Sequence, residues 1–164
     1  MTKPYASFWR SPGKTILLAG FVAGTLYLLG AILVYTVLLN KIAAEKLVRG
    51  IASGIFKTRA FSGGSEMVFY GVPIHFIIAF AFTAFYFLIF SYILFLRKQK
   101  NIGGLLYGIF IWVIMNIVVL SIVFPTRPPV TLTSFLQGAP ILMMMMIGLP
   151  LSYFANKYYA EKRR

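Results

Sequence analysis

Four polar side chains stand out because they lie in or beside long apolar stretches of this chain. His75 is the single histidine and the only side chain within such a stretch that titrates near neutral pH. Ionisable and polar groups at membrane depth are functional candidates. We therefore predict a candidate polar site formed by His75, Asn116, Gln137 and Glu66. Together these side chains could bind a solute or a proton from the outer face. Alternatively, each is hydrogen-bonded to a neighbouring helix and has no further role.

Most catalytic chemistry is excluded by the composition. The chain has no cysteine and only three acidic residues, which are Glu45, Glu66 and Glu161. It therefore has no thiol nucleophile, no disulfide and no thiolate metal site. One histidine cannot chelate a metal without a second subunit. No serine-hydrolase elbow, zinc-protease motif or phosphate-binding loop is present. We expect no enzyme activity, no cofactor and no metal site.

The elements that position these residues are four long apolar stretches. Sixty per cent of the 164 residues are hydrophobic and only 12 % are charged, which is too few charges to cover a water-facing surface. A helix needs about 20 residues to cross a bilayer, and a backbone in lipid must satisfy its own hydrogen bonds. We predict one all-α membrane domain over residues 1–164, a four-helix bundle with spans at about 15–39, 68–96, 102–124 and 132–155.

The distribution of basic residues predicts the orientation. Ten of the 16 Lys and Arg residues fall at the two termini and between the second and third predicted spans. Because basic residues favour the cytoplasmic side, both termini are predicted to be cytoplasmic. The net charge of +13 is then explained by anchoring beside anionic lipid. We expect the lipid bilayer as a partner and no binding to nucleic acid.

Two short patterns recur in the two halves of the chain. The first and third spans carry glycines four residues apart, Gly20 with Gly24 and Gly104 with Gly108. The second and fourth share Gly-x-Pro-Ile, at 71–74 and 138–141. This order is consistent with a duplicated helical hairpin, although small residues and prolines are also common in membrane helices. Paired glycines permit close helix packing, and we expect them to join spans one and three or to form a homo-oligomer contact.

The first half carries extra residues between its two patterns. Over 41–58, Ala44, Val48 and Ile55 recur at helical spacing, with charged residues on another face. Glu45 and Arg49 form a favourable pair four residues apart. The segment predicts a short amphipathic helix in the first outer loop, lying on the membrane surface.

The chain resembles a family of bacterial inner-membrane proteins. The segment HFIIAFAF at 75–82 looks like the histidine-led second span of the YagU-like proteins. GLLYG at 104–108, followed by the proline-rich loop that ends at 127–129, is similar to the third span and exit of the same family. The resemblance implies a multi-pass protein of the plasma membrane, in a family whose molecular role is largely undefined.

Two functions remain open from the sequence. The first is a structural or accessory membrane protein that acts through helix packing with a lipid or membrane-protein partner. The second is a small-solute or ion transporter or channel that forms a pore from several copies, since four helices make a narrow bundle. A transport path needs the polar residues to converge on a water-accessible cavity. A structural role leaves them scattered or hydrogen-bonded within the bundle.

Overall fold

The computed structural model describes residues 11–125 and 139–162, which are helical over most of their length and contain no strand. The predicted all-α class is confirmed for this part of the chain. The described helices are α1 (Pro12–Leu38), α2 (Ala44–Phe56), α3 (Arg59–Ser62), α4 (Glu66–Tyr92), α5 (Leu94–Lys98), α6 (Lys100–Val123) and α7 (139–162).

Three of these helices are long and apolar enough to cross a bilayer. They are α1, α4 and α6, with 24 to 27 residues each and a mean hydropathy between 2.1 and 2.5. At 1.5 Å per residue, 27 residues reach about 40 Å, more than the roughly 30 Å of a hydrocarbon core. The first three predicted spans correspond to these helices. The second ends at Tyr92 rather than near 96, because Ile93 has an extended backbone that separates α4 from α5.

The fourth predicted span begins at 132, outside the described residues, and its described part is α7. This helix contains a π-helical turn at Met144–Gly148, where the Leu149 N–H donates to the Met144 carbonyl five residues back. Pro150 follows directly and has no N–H to offer the Met146 carbonyl. We attribute the wider turn to this missing donor. Similar π-helical turns occur at the end of α1 and in the middle of α6.

The long helices pack as two antiparallel pairs. Helix α1 packs against α4 and α6 packs against α7, while α7 also contacts α1 and α4. The core between them contains the fully buried side chains of Tyr86, Phe90 and Leu151. Large apolar side chains on the outward faces are exposed, for example Phe69 at 74 % and Ile122 at 73 %. Such faces suit lipid, which solvates apolar side chains as well as a protein core does.

The predicted amphipathic helix is present as α2, and part of its apolar face rests on protein, whereas Ile55 near its end is exposed. Val48 lies against Gly71 of α4, so close that a Cβ at Gly71 would meet the Val48 carbonyl oxygen. Arg49 closes the loop that follows by donating to the carbonyl oxygens of Phe61 at 3.2 Å and Gly63 at 2.9 Å. It also pairs with Glu45 as predicted, at 2.5 Å. Helix α2 is therefore docked on the start of α4, and its position on the membrane surface stays a prediction.

A lysine occupies a strained backbone position directly after α2. Lys57 has φ 51° and ψ −133°, a region that glycine enters easily and that side chains with a Cβ avoid. A residue held there costs about 1–3 kcal/mol. The other described non-glycine residue with positive φ is Asn40, at 46°, and asparagine tolerates this conformation well. Only the lysine needs an explanation.

Candidate functional site

His75 joins α4 to α1. Its Nε2 lies 2.9 Å from the carbonyl oxygen of Gly24, so the ring N–H donates a hydrogen bond to the α1 backbone. The imidazole is 8 % exposed. Tyr27 stacks on it at a centroid distance of 6.0 Å, and Phe76 meets it edge-on at 5.4 Å. The histidine is therefore fixed between two helices, with one nitrogen already in use.

The other predicted site residues lie elsewhere. Asn116 donates from Nδ2 to the carbonyl oxygen of Trp112 at 3.1 Å, one turn earlier on its own helix. Glu66 is exposed at the start of α4, where its carboxylate accepts the Gly64 N–H at 2.9 Å. Gln137 lies outside the described residues. The hydrogen bonds and ring contacts described for His75, Asn116 and Glu66 do not join any of the three to another.

Three further side chains tie the helices together, and sequence reasoning did not find them. The Tyr107 hydroxyl on α6 donates to the Phe82 carbonyl oxygen of α4 at 2.6 Å. The Tyr159 hydroxyl on α7 donates to the Phe87 carbonyl oxygen at 2.7 Å. Ser152 on α7 donates to the backbone carbonyl at the start of α6. The signal was available, because a hydroxyl inside an apolar helix needs an acceptor.

Each glycine pair lies at a helix contact, but not at the one predicted. A Cβ on Gly20 would overlap the Phe80 ring, and one on Gly24 would sit 3.0 Å from the Phe76 ring, both on α4. The expectation that the glycines join spans one and three is therefore wrong for this pair. It also fails for the second pair, which faces α7.

The second pair lies directly against the backbone of α7. A Cβ on Gly104 would lie 2.6 Å from the Gly148 carbonyl oxygen, and one on Gly108 would lie 2.6 Å from the Met144 nitrogen. Contacts run in opposite directions along α6 and α7, so the two helices are antiparallel. Gly148 in turn meets the backbone of α6. This packing needs glycine on both helices.

The two helix pairs use a similar contact register. Gly104 follows Gly20 by 84 residues, and the second Gly-x-Pro follows the first by 67 residues. Gly20 faces Phe80. With the offset of 67 residues between the two Gly-x-Pro patterns, the position equivalent to Phe80 in the second half is 147. Gly104 faces Gly148, one residue further on. The paired helices of the two halves therefore meet at nearly equivalent positions.

Within residues 11–125 and 139–162 the arrangement holds helices together and brings none of the predicted site residues into contact with one another. Among the described residues, no cluster of three or more His, Cys, Asp or Glu side chains could hold a metal ion. Four polar side chains of the long helices, His75, Tyr107, Tyr159 and Ser152, donate to backbone carbonyls of another helix, whereas the buried hydroxyls of Thr25, Thr36 and Tyr86 have no such partner. What this chemistry achieves is specific pairing of helices, since carbonyl acceptors satisfy polar groups that lipid cannot.

Comparisons with known proteins identify no relative. No protein-family model matches the chain, and neither the curated proteins nor the solved structures contain a match to it. The resemblance to the YagU-like family therefore stays a prediction.

Removing one of the interhelical hydrogen bonds should have a small and measurable effect. We expect Tyr107→Phe and Ser152→Ala, which remove a hydroxyl and little volume, each to destabilise the protein by about 0.6 kcal/mol, and by no more than about 1.7 kcal/mol, because bonds of this kind contribute that much in membrane helices. Unfolding by denaturing detergent, followed by circular dichroism, measures this. Ser91→Ala is the control, since Ser91 is bonded within its own helix and should change stability less. A loss of most of the folded state on Tyr107→Phe would contradict the expectation.

Proposed function

We propose that this chain is a multi-pass membrane protein with a structural or accessory role, acting through helix packing with a lipid or membrane-protein partner. The observation that carries the proposal is the use of its polar side chains. His75, Tyr107 and Ser152 each donate to a carbonyl oxygen of a neighbouring helix, and Asn116 donates within its own helix. These groups support a closed bundle rather than a polar path.

The proposed topology has four spans, with α7 belonging to the fourth and both termini in the cytoplasm. Two observations support it. Helices α6 and α7 are antiparallel, so α7 returns the chain to the side on which α6 begins. Basic residues concentrate on that same side, at Arg97, Lys98 and Lys100 and again at Lys157 and Lys162. We place the protein in a plasma membrane, as the resemblance to the YagU-like proteins implies.

We further propose that the bundle is a duplicated helical hairpin. The support is the common register of the Gly20–Phe80 and Gly104–Gly148 contacts, together with the repeated Gly-x-Pro pattern. In this scheme the α2–α3 segment is an insertion into the first hairpin. The second hairpin then packs its glycines on backbone, whereas the first packs them on aromatic rings.

Cysteine accessibility tests the proposal directly, because the native chain contains no cysteine. Single substitutions His75→Cys, Asn116→Cys and Gln137→Cys are probed in intact membranes with a membrane-impermeant thiol reagent. Lys46→Cys, at an exposed position of α2, is the positive control for labelling from that side. We expect Lys46→Cys to react while Asn116→Cys and Gln137→Cys are protected.

The opposite result would replace the proposal. Labelling at all three candidate positions would reveal a water-filled path that reaches from one face to the middle of α6. The chain would then be better described as an oligomeric small-solute or ion transporter, with a polar site that includes His75. No enzyme activity and no cofactor form part of either description.

A further inference from the structure

The turn between α2 and α3 is held at the level where α4 begins. A small buried cluster joins the three helices and is formed by Ala52, Ala60 and Met67. The Phe56 ring lies 5.3 Å from the ring of Tyr70, one turn into α4. Since α4 is a candidate spanning helix that is longer than a bilayer's hydrocarbon core, we take its first turn to lie at the level of the lipid headgroups. The turn that follows Phe56 therefore lies at this level.

This turn exposes apolar and cationic side chains together. Ile55 is 64 % exposed and Phe61 is 47 % exposed. Between them, Lys57 and Arg59 are also exposed. Apolar side chains beside basic ones are typical of segments that sit where acyl chains meet phosphate groups. A purely aqueous loop has no reason to expose two large apolar side chains.

Lys57 is retained where glycine would be relaxed. Its backbone has a positive φ of 51°, and turn hydrogen bonds hold it there: the Lys57 N–H donates to the Ser53 carbonyl oxygen at 2.9 Å, and the Lys57 carbonyl oxygen accepts the Ala60 N–H at 3.2 Å. Backbone strain of this kind persists where the residue has a use that outweighs it. Because glycine would adopt this backbone conformation more easily, the lysine side chain is a candidate for that use.

The nearby acidic residues are already engaged. Glu45 is paired with Arg49. Glu66 accepts the Gly64 N–H and interacts electrostatically with Arg49 and Arg59. In the described part of the chain no ion pair involves Lys57. Its positive charge is therefore available to an anion that comes from outside the chain.

We propose that the α2–α3 turn binds the phosphate group of an anionic phospholipid, with Lys57 and Arg59 contacting the headgroup and with Ile55 and Phe61 among the acyl chains. The lipid belongs to the leaflet that meets the start of α4. This inference names the lipid partner of the proposed accessory role and rests on it. A loop that only needed to close the α2–α3 connection would carry glycine at position 57.

The test compares thermal unfolding of the full chain in two kinds of lipid nanodisc, one of phosphatidylcholine and one with added phosphatidylglycerol. For the native chain we expect phosphatidylglycerol to raise Tm by roughly 2–4 °C, as a ligand of the folded state does. Lys57→Gly should show a higher Tm in phosphatidylcholine, because strain is relieved, and should lose most of the increase caused by phosphatidylglycerol. The Tm in phosphatidylcholine then rises while the increase caused by phosphatidylglycerol falls. If Lys57 only stabilised the fold, its replacement would lower the Tm in phosphatidylcholine.

Two variants control for charge. Lys46→Gln removes one positive charge from relaxed helical backbone in α2 and should keep the response to phosphatidylglycerol. Lys57→Arg keeps the charge at the strained position and should also keep the response to phosphatidylglycerol. The inference is overturned if Lys57→Gly responds as the native chain does, or if its Tm in phosphatidylcholine falls. It is also overturned if the native chain does not respond, or if inorganic phosphate alone gives the same increase. Cysteine labelling tests the closed bundle interior, whereas the nanodisc experiment tests the lipid site. A failure of the proposed function is therefore distinguishable from a failure of this inference.

Discussion

Gly108→Ala is expected to destabilise the protein by about 1–3 kcal/mol, the usual cost of forcing extra volume into a packed contact. The new Cβ would lie 2.6 Å from the backbone nitrogen of Met144. A backbone atom cannot move aside as the end of a flexible side chain can. The two helices must therefore separate, and α6 would lose its contacts with α7 along the whole interface. Denaturing-detergent titration followed by circular dichroism measures the change.

Gly50→Ala is the matched control for this substitution. Gly50 lies in the exposed face of α2, and a Cβ there would meet nothing within 4 Å. Alanine is favoured over glycine in a helix by up to about 1 kcal/mol. This variant should therefore be as stable as the native chain or slightly more stable. Because both substitutions change propensity in the same direction, their difference isolates the α6–α7 contact. Equal stabilities of the two variants would show that the close approach at Gly108 is unimportant.

Hydropathy predicts the spanning helices well because length and apolar content are local properties of the chain. Both α1 and α6 begin and end within a few residues of their predicted bounds. The end of α4 is less predictable, since the apolar run continues through Leu94 and Phe95 after the helix stops at Tyr92. Apolar side chains alone do not require a helical backbone at these positions. The extended conformation of Ile93 depends on the path that the chain takes from α4 to α6.

Packing partners cannot be read from spacing alone. The two glycine pairs, Gly20 with Gly24 and Gly104 with Gly108, have the same spacing. From the sequence alone, one pair could have packed against the other. Which helix they face depends on the antiparallel return of the next span, a property of the whole bundle. The same holds for α2, whose apolar face is equally suited to lipid or to Gly71. Amphipathicity identifies a buried face but not what buries it.

The candidate polar site was predicted from residue type, and the structure gives its three described members, His75, Asn116 and Glu66, separate environments. His75 reaches Gly24 on another helix, whereas Asn116 turns back to Trp112. The choice between these depends on side-chain rotamers and on the distance to the next helix, neither of which a sequence pattern contains. Tyr107 was equally visible in the sequence. It was overlooked because a tyrosine is easily taken for an apolar residue.

Phe90→Ala is expected to destabilise the protein by about 3 kcal/mol, near the lower end of the range for replacing a buried aromatic side chain by alanine. Phe90 is fully buried. Its ring lies 5.4 Å from that of Tyr159 on α7 and 5.8 Å from that of Tyr86. An aromatic ring is solvated by lipid as well as by the protein core, so the free energy of transfer from water contributes little to this loss of stability. What remains is the cavity and the lost dispersion contacts between α4 and α7.

The same substitution at the other end of α4 separates packing from hydrophobicity. Phe69 is 74 % exposed, so Phe69→Ala leaves no cavity, and lipid fills the space of the ring. We expect a change within about 0.5 kcal/mol, as for substitutions away from packed contacts. Both variants are measured in the same lipid or detergent by the same titration. If Phe69→Ala were as destabilising as Phe90→Ala, the exposed face of α4 would be covered by protein rather than lipid. A large loss confined to Phe90→Ala would show that close packing of α4 on α7 holds the bundle together.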